Sequence, residues 1–203
     1  MSRSLFFLSL LFAAAIATTA QSPADGTING HDYVDLGLSV MWATCNIGAD
    51  QPEDYGDYYA WGEAETKSEY TKENSATYGK DNFTFHDAAA ENWGGTWRMP
   101  TRNEFEELID NCDWTWITVG DHNGYKVTSK KNGKSIFLPA AGYRDGSSSY
   151  GARYSGFYLS SSHIASIAFY SVYAFALDFT SYHVDVRHYY DRYCGTTIRP
   201  VAE

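Results

Sequence analysis

The hydrophobic period of this chain changes once along its length, and that change limits the folds open to it. In the first part, Phe105, Leu108, Ile109 and Cys112 recur at helical spacing, with Glu106, Glu107 and Asp110 on the opposite face. Thr101 follows Pro100 and precedes Glu104 by three positions, the capping-box pattern in which each residue satisfies a backbone N–H that the helix start leaves open. A helix is therefore expected from Thr101 to about Cys112. A shorter one is expected from about Phe85 to Trp93, with Thr84 as N-cap and Asp87 in the first turn.

From Tyr125 onward the period shortens to two. Tyr125 to Ser129 and Ser135 to Leu138 read as paired strands around a turn in which Asn132 and Gly133 supply positive φ. Short strands are expected at Phe157 to Ser161, Ala174 to Phe179, Val184 to His188 and Thr196 to Val201. Phe175, Leu177 and Phe179 alternate with Ala174, Ala176 and Asp178, which predicts a strand buried on one face only. Helices first and strands afterwards give an α+β class, with two helices packed on short antiparallel sheets joined by long loops.

Arg3, the apolar run Leu5 to Ala17 and the small residues up to Ala20 have the form of a secretory signal peptide, expected at residues 1–20. The run is shorter than the roughly 20 residues a membrane-spanning helix requires, so export without membrane insertion is expected. Gln21, not a cysteine, stands directly after Ala20, so no thiol at the cleavage site can accept a lipid, and a secreted or cell-surface protein is expected. A polar, flexible leader is expected at 21–29, then one domain over 30–203. A net charge of -10 argues against nucleic acid and anionic membranes as partners. Of three cysteines, Cys194 is the expected unpaired thiol, and spacing alone leaves open whether Cys45 pairs with Cys112. All six tryptophans lie between Trp42 and Trp116, so the large rings of the core come from the first two thirds.

The ordered segments YVDLGLSVMWATCNIGA (Tyr33 to Ala49), PEDYGDYYAWGE (Pro52 to Glu63), WGGTWRMPT (Trp93 to Thr101), IFLPAAGYR (Ile136 to Arg144), FYLSSS (Phe157 to Ser162) and TTIRPV (Thr196 to Val201) resemble the Fibrobacter succinogenes major paralogous domain. That family occurs in exported proteins of Bacteroidetes-type bacteria and is related to the formylglycine-generating-enzyme type of C-type-lectin fold. The resemblance covers nearly all of the chain after residue 20, and it implies a C-type-lectin-like domain.

In some proteins of that fold, the end of the chain is the variable region of a diversity-generating retroelement. Such an element rewrites adenines in a template, so an asparagine-type codon becomes Tyr, Ser, Asp, His, Arg and several others, but never Lys, Glu, Gln, Met or Trp. Between Ser135 and Ala202 none of those five residues occurs, although the earlier chain uses all of them. The ligand-binding surface is accordingly expected at His163, Ile164 and Ser166, at Phe169, Tyr170, Ser171 and Tyr173, at Tyr182, His183 and Arg187, and in the run His188, Tyr189, Tyr190, Asp191, Arg192, Tyr193 and Cys194. The last run is expected to be exposed. Tyrosine gives a large amphipathic contact with few torsions to freeze, Ser and Asp adapt their hydrogen bonds, and Arg adds planar bidentate contacts.

No cofactor and no metal site is expected. Gln51 to Asp54 is superficially similar to the short acidic motif of sugar-binding C-type lectins, but the Trp-Asn-Asp partner motif is missing, and a solvated acidic loop is the expectation. The copper and oxygen chemistry of formylglycine-generating enzymes needs a cysteine pair near the C-terminus, where this chain has Cys194 alone. His163, His183 and His188 lie scattered among Tyr and Ser. Recognition of a protein or glycan on another surface is thus expected rather than enzymatic activity. A structural or assembly subunit of a surface filament is the alternative, and a formylglycine-generating-type oxidoreductase is a remoter one.

Overall fold

A computed structural model describes residues 20–163 and 171–203, with 187–189 described by their backbone alone. The architecture is an α+β arrangement rich in antiparallel sheet, with two short helices. Strands β1 (Gly26–Ile28), β2 (His31–Val34) and β3 (Met41–Ala43) form a sheet with the last strand, β12 (Val201–Ala202), in the order β1-β2-β3-β12. The N-terminal third and the final residues of the chain are therefore hydrogen-bonded neighbours. Residues 21–29 contain β1, and Ser22 exchanges two bonds with Ser135, N–H to carbonyl at 2.8 Å and N–H to hydroxyl at 2.9 Å.

Helix α1 spans Ala88–Trp93 and helix α2 spans Arg102–Asn111. The N-cap of α1 is Asp87, not Thr84. Its carboxylate accepts from Ala89 N and Ala90 N, both at 3.0 Å, and also from Met99 N, so one side chain starts the helix and ties down the loop beyond it. The expected capping box of α2 is present between Thr101 and Glu104, and Arg98 braces Glu104 from outside at 2.6 Å. Phe105 and Leu108 point from α2 into the core.

Cys112 ends α2 in extended conformation, φ -126° and ψ 156°, and opens β4 (Cys112–Val119) at once. β4 pairs with β5 (His122–Ser129), and β5 with β6 (Ser135–Pro139). The β5–β6 loop is looser than a two-residue hairpin. Only Gly133 takes positive φ there, at 74°, while Asn132 acts through its side chain, donating to the Asp35 carbonyl at 2.9 Å.

A second three-stranded sheet has the order β11-β10-β9, from β9 (Ser155–His163), β10 (Tyr173–Thr180) and β11 (His183–Asp191). β10 was expected to be buried on one face; it is buried on both. Phe175, Leu177 and Phe179 join a core with Trp42, Phe105, Leu108, Val127 and Leu138. On the other face Ala174 joins Trp61, Trp93, Trp97, Met99 and Ile198. Small alanines on the second face fit because the tryptophans opposite are large. The final strand is also shorter than expected: Thr196 and Thr197 make only single bridges, to Tyr59 and Tyr158, before β12.

At the centre of these layers lies Arg199, fully buried. Its guanidinium donates to Asn46 Oδ1 at 2.9 Å, to the Ala43 and Thr44 carbonyls at 3.0 and 2.8 Å, and to the Phe137 carbonyl at 2.9 Å. Four acceptors from two sheets and a loop thus converge on one planar fork. Cys45, Cys112 and Cys194 are all free thiols, so the pair Cys45–Cys112 does not form. No helix among the described residues is long and apolar enough to cross a membrane.

Candidate functional site

The expected surface is assembled by one irregularity in the second sheet. From Thr180 back to Ala176 the ladder is regular, with Leu177 opposite Val186 and both in the main core. Between Ala176, opposite Arg187, and Ala174, opposite Tyr190, β11 spends one residue more than β10. A bulge of that kind reverses the in-and-out alternation. Without it, Tyr190 would lie on the same face as Val186 and enter the main core. With it, Tyr190 shares the face of Ala174 and meets the ring of Phe157 on β9 at 5.2 Å.

A two-stranded hairpin, β7 (Tyr143–Asp145) and β8 (Ser148–Tyr150), closes the other side. Gly142 makes the hairpin possible: its φ is 65°, and a Cβ there would stand 2.0 Å from the Tyr150 carbonyl oxygen. The hairpin is stitched to the chain end by a reciprocal pair of bonds, Arg144 N to Gly195 O at 2.7 Å and Gly195 N to Arg144 O at 3.0 Å. Tyr143, Asp145, Phe157, Tyr190, Asp191 and Tyr193 then line an open cleft of about 290 Å³, with Cys194 at its base.

Of the expected surface residues, the cleft gathers Tyr190, Asp191, Tyr193 and Cys194. Tyr182 stands apart at the β10–β11 turn and is 88% exposed. His183 approaches Asp178, Nε2 to Oδ1 at 3.9 Å, and His163 caps the far end of β9 over the Trp61 ring at 5.0 Å. Tyr173 begins β10, and the carbonyl of Ser171 accepts from Gly79 N. Ile164, Ser166, Phe169 and Tyr170 lie outside the described residues, as do the side chains of Arg187, His188 and Tyr189.

The run to Cys194 is not uniformly exposed, which corrects the expectation. Arg192 is 1% exposed and Cys194 5%. Backbone bonds from Arg192 N to Val172 O and from Trp61 N to Arg192 O, both 2.9 Å, pin this stretch as an internal strut. The Arg192 guanidinium turns away from the cleft, 4.3 Å over the Trp61 ring and 5.3 Å from that of Phe83, and burial pushes its pKa down to about 10. Burial pushes the Cys194 thiol up to about 12, so it is protonated and a poor nucleophile at neutral pH.

Sequence reasoning missed Tyr143, Asp145 and Phe157, although Tyr143 and Phe157 fall inside the quoted segments. Nothing local marks them, because the cleft joins three stretches distant in sequence. Among the described residues, no three His, Cys, Asp or Glu side chains converge as metal ligands would. No family model matches the chain, and no curated protein or solved structure does either.

Proposed function

We propose that this chain is an exported recognition domain of C-type-lectin-like type, which holds a protein or glycan of another surface at its C-terminal face. The observation that carries the reading is the cleft itself: aromatic rings and carboxylates from β7, β9 and the end of β11 around an open cavity, on a framework of buried tryptophans. Concave aromatic sites with a few polar groups are the usual form of a binding site. The resemblance of the ordered segments supports the same reading, as does the adjacency of the first and last strands. That Cys194 is a single cysteine near the C-terminus, not a pair, supports recognition over copper chemistry.

The test uses the protein itself, labelled and scored over a panel of bacterial cells, phage particles and immobilised glycans. Replacing Tyr182 and Tyr193 together by Ser is expected to lower retained signal at least about tenfold while moving Tm by no more than about 3 °C. Binding by the variant that equals the unaltered protein, or no binding to any surface by the unaltered protein, would overturn the reading.

The missing residue types between Ser135 and Ala202 support, as part of this proposal, diversification of the surface by a retroelement. The flanking DNA is expected to carry a reverse-transcriptase gene and a near-copy of the codons for His163 to Cys194 that differs only at adenines. A near-copy with substitutions spread over all four bases would remove this part of the reading.

A further inference from the structure

The cleft has a chemical bias that recognition alone does not specify. Three rings form one wall: Tyr143 meets Phe157 edge-on at 5.3 Å and Tyr190 edge-on at 6.2 Å, and Phe157 lies tilted against Tyr190. Tyr193 forms the opposite rim, edge-on to Tyr78 at 5.2 Å. Asp145 and Asp191 open into the same space, and Tyr193 donates to Asp145 Oδ2 at a long 3.4 Å. Ring faces are negative and attract cations, and so do carboxylates. The neighbouring Cys194 thiol adds no charge at neutral pH.

Two further features mark the cleft as a place for a ligand. The phenol oxygen of Tyr190 is enclosed and has no hydrogen-bond partner among the described residues, a costly arrangement that a ligand donor would relieve. Burial, with help from Asp145, holds the Asp191 carboxyl above its usual range, although Lys72 opposes this. Among the described side chains, Lys72 is a cation that faces the site from outside its lining. Its Nζ stands 5.6 Å from the Tyr193 ring centre and 5.5 Å from that of Tyr78. It touches the rim without entering the cavity.

We propose that this cleft takes an arginine side chain from a protein partner, the guanidinium lying against the Phe157–Tyr190 wall and pairing with Asp145 and Asp191. This rests on the recognition reading and narrows it. A guanidinium suits the site better than an ammonium, because it is planar, weakly hydrated and carries a fork of donors that reaches two carboxylates and a phenol oxygen together. The protein itself stacks guanidinium groups on rings repeatedly: Arg102 over Phe175 at 4.6 Å, Arg144 over Tyr70 at 5.4 Å and Arg192 over Trp61. A net charge of -10 steers a basic partner segment towards it.

The experiment titrates the folded protein with N-acetyl-argininamide, following chemical shifts of the cleft residues. A Kd on the order of 1 to 10 mM is expected for so small a fragment. N-acetyl-citrullinamide, of the same shape without the charge, is expected to bind at least about tenfold more weakly, and N-acetyl-lysinamide about threefold more weakly. Asp145→Asn with Asp191→Asn should weaken the arginine fragment at least about tenfold, while Lys72→Ala, which removes a competing cation, should tighten it about twofold.

Equal binding of arginine and citrulline fragments, preference for the lysine fragment or for methyl glucoside, or no shift up to about 50 mM, would each overturn the proposal. The two readings fail separately. If the fragment does not bind but Tyr182→Ser with Tyr193→Ser still loses its surface partner, only the arginine assignment falls.

Discussion

Arg199→Met is expected to destabilise the protein by about 4 kcal/mol, and Arg199→Lys by about 3 kcal/mol. Four acceptors, Asn46 Oδ1 and the carbonyls of Ala43, Thr44 and Phe137, have the Arg199 guanidinium as their partner in a region without water-exposed surface. Methionine matches the volume but strands the acceptors. Lysine restores the charge, yet one tetrahedral nitrogen cannot reach four oxygens arranged around a planar fork. Burial already pulls the Arg199 pKa down, so the site tolerates the cation because all three guanidinium nitrogens donate to protein acceptors. The matching change at Arg192 separates this from a general arginine effect. Arg192 is also nearly closed to solvent, but its Nε donates to the Tyr173 carbonyl while Nη1 has no partner among the described residues. Arg192→Met should therefore shift stability by no more than about 1 kcal/mol. Denaturant unfolding of the three variants decides the matter. If Arg199→Lys stays within about 1 kcal/mol of the parent, the fork geometry is not what joins the sheets.

What could be read from the sequence was local, and what could not was set by contacts between distant segments. The capping box at Thr101 and Glu104 needs only residues three apart, and it is present as expected. The N-cap of α1 was misplaced by three residues, because Thr84 and Asp87 both suit the role. The contact that favours Asp87, its bond to Met99 N, lies twelve residues on. β4 was invisible since Cys112 completes the apolar face of α2, and the switch from helix to strand there uses no glycine or proline. The alternation in β10 was real, but alternation reports which side chains are large, not whether the far side is open; Trp61 and Ile198 cover the alanine face. The cleft depends on a bulge at 187–190 and on a hairpin that starts more than forty residues earlier. Position in the Tyr-rich run therefore said little about whether a ring faces water, and Arg192 turns inward between Asp191 and Tyr193, which line the cavity.

Phe179→Ala is expected to cost about 4 kcal/mol, near the top of the range for a buried aromatic. The Phe179 ring is fully buried where two sheets meet, 5.3 Å from Tyr125, 5.9 Å from Tyr158 and 6.3 Å from both Trp114 and Trp116. The rings around it are stiff and refill space poorly, so the cavity should persist. Phe175, earlier on the same strand, is 8% exposed and lies under the long side chain of Arg102, and its truncation should cost about 2 kcal/mol less. Gly156 supplies an internal control. A Cβ there would stand 2.1 Å from Phe179 Cζ, so Gly156→Ala alone overpacks the core and should cost about 2 kcal/mol. In the Phe179→Ala background the same methyl group enters the vacated space. The double variant should then be more stable than the sum of the single changes predicts by at least about 1.5 kcal/mol. Additive losses in denaturant unfolding would mean that β9 and β10 do not approach each other as closely at this point as the ring and the glycine require.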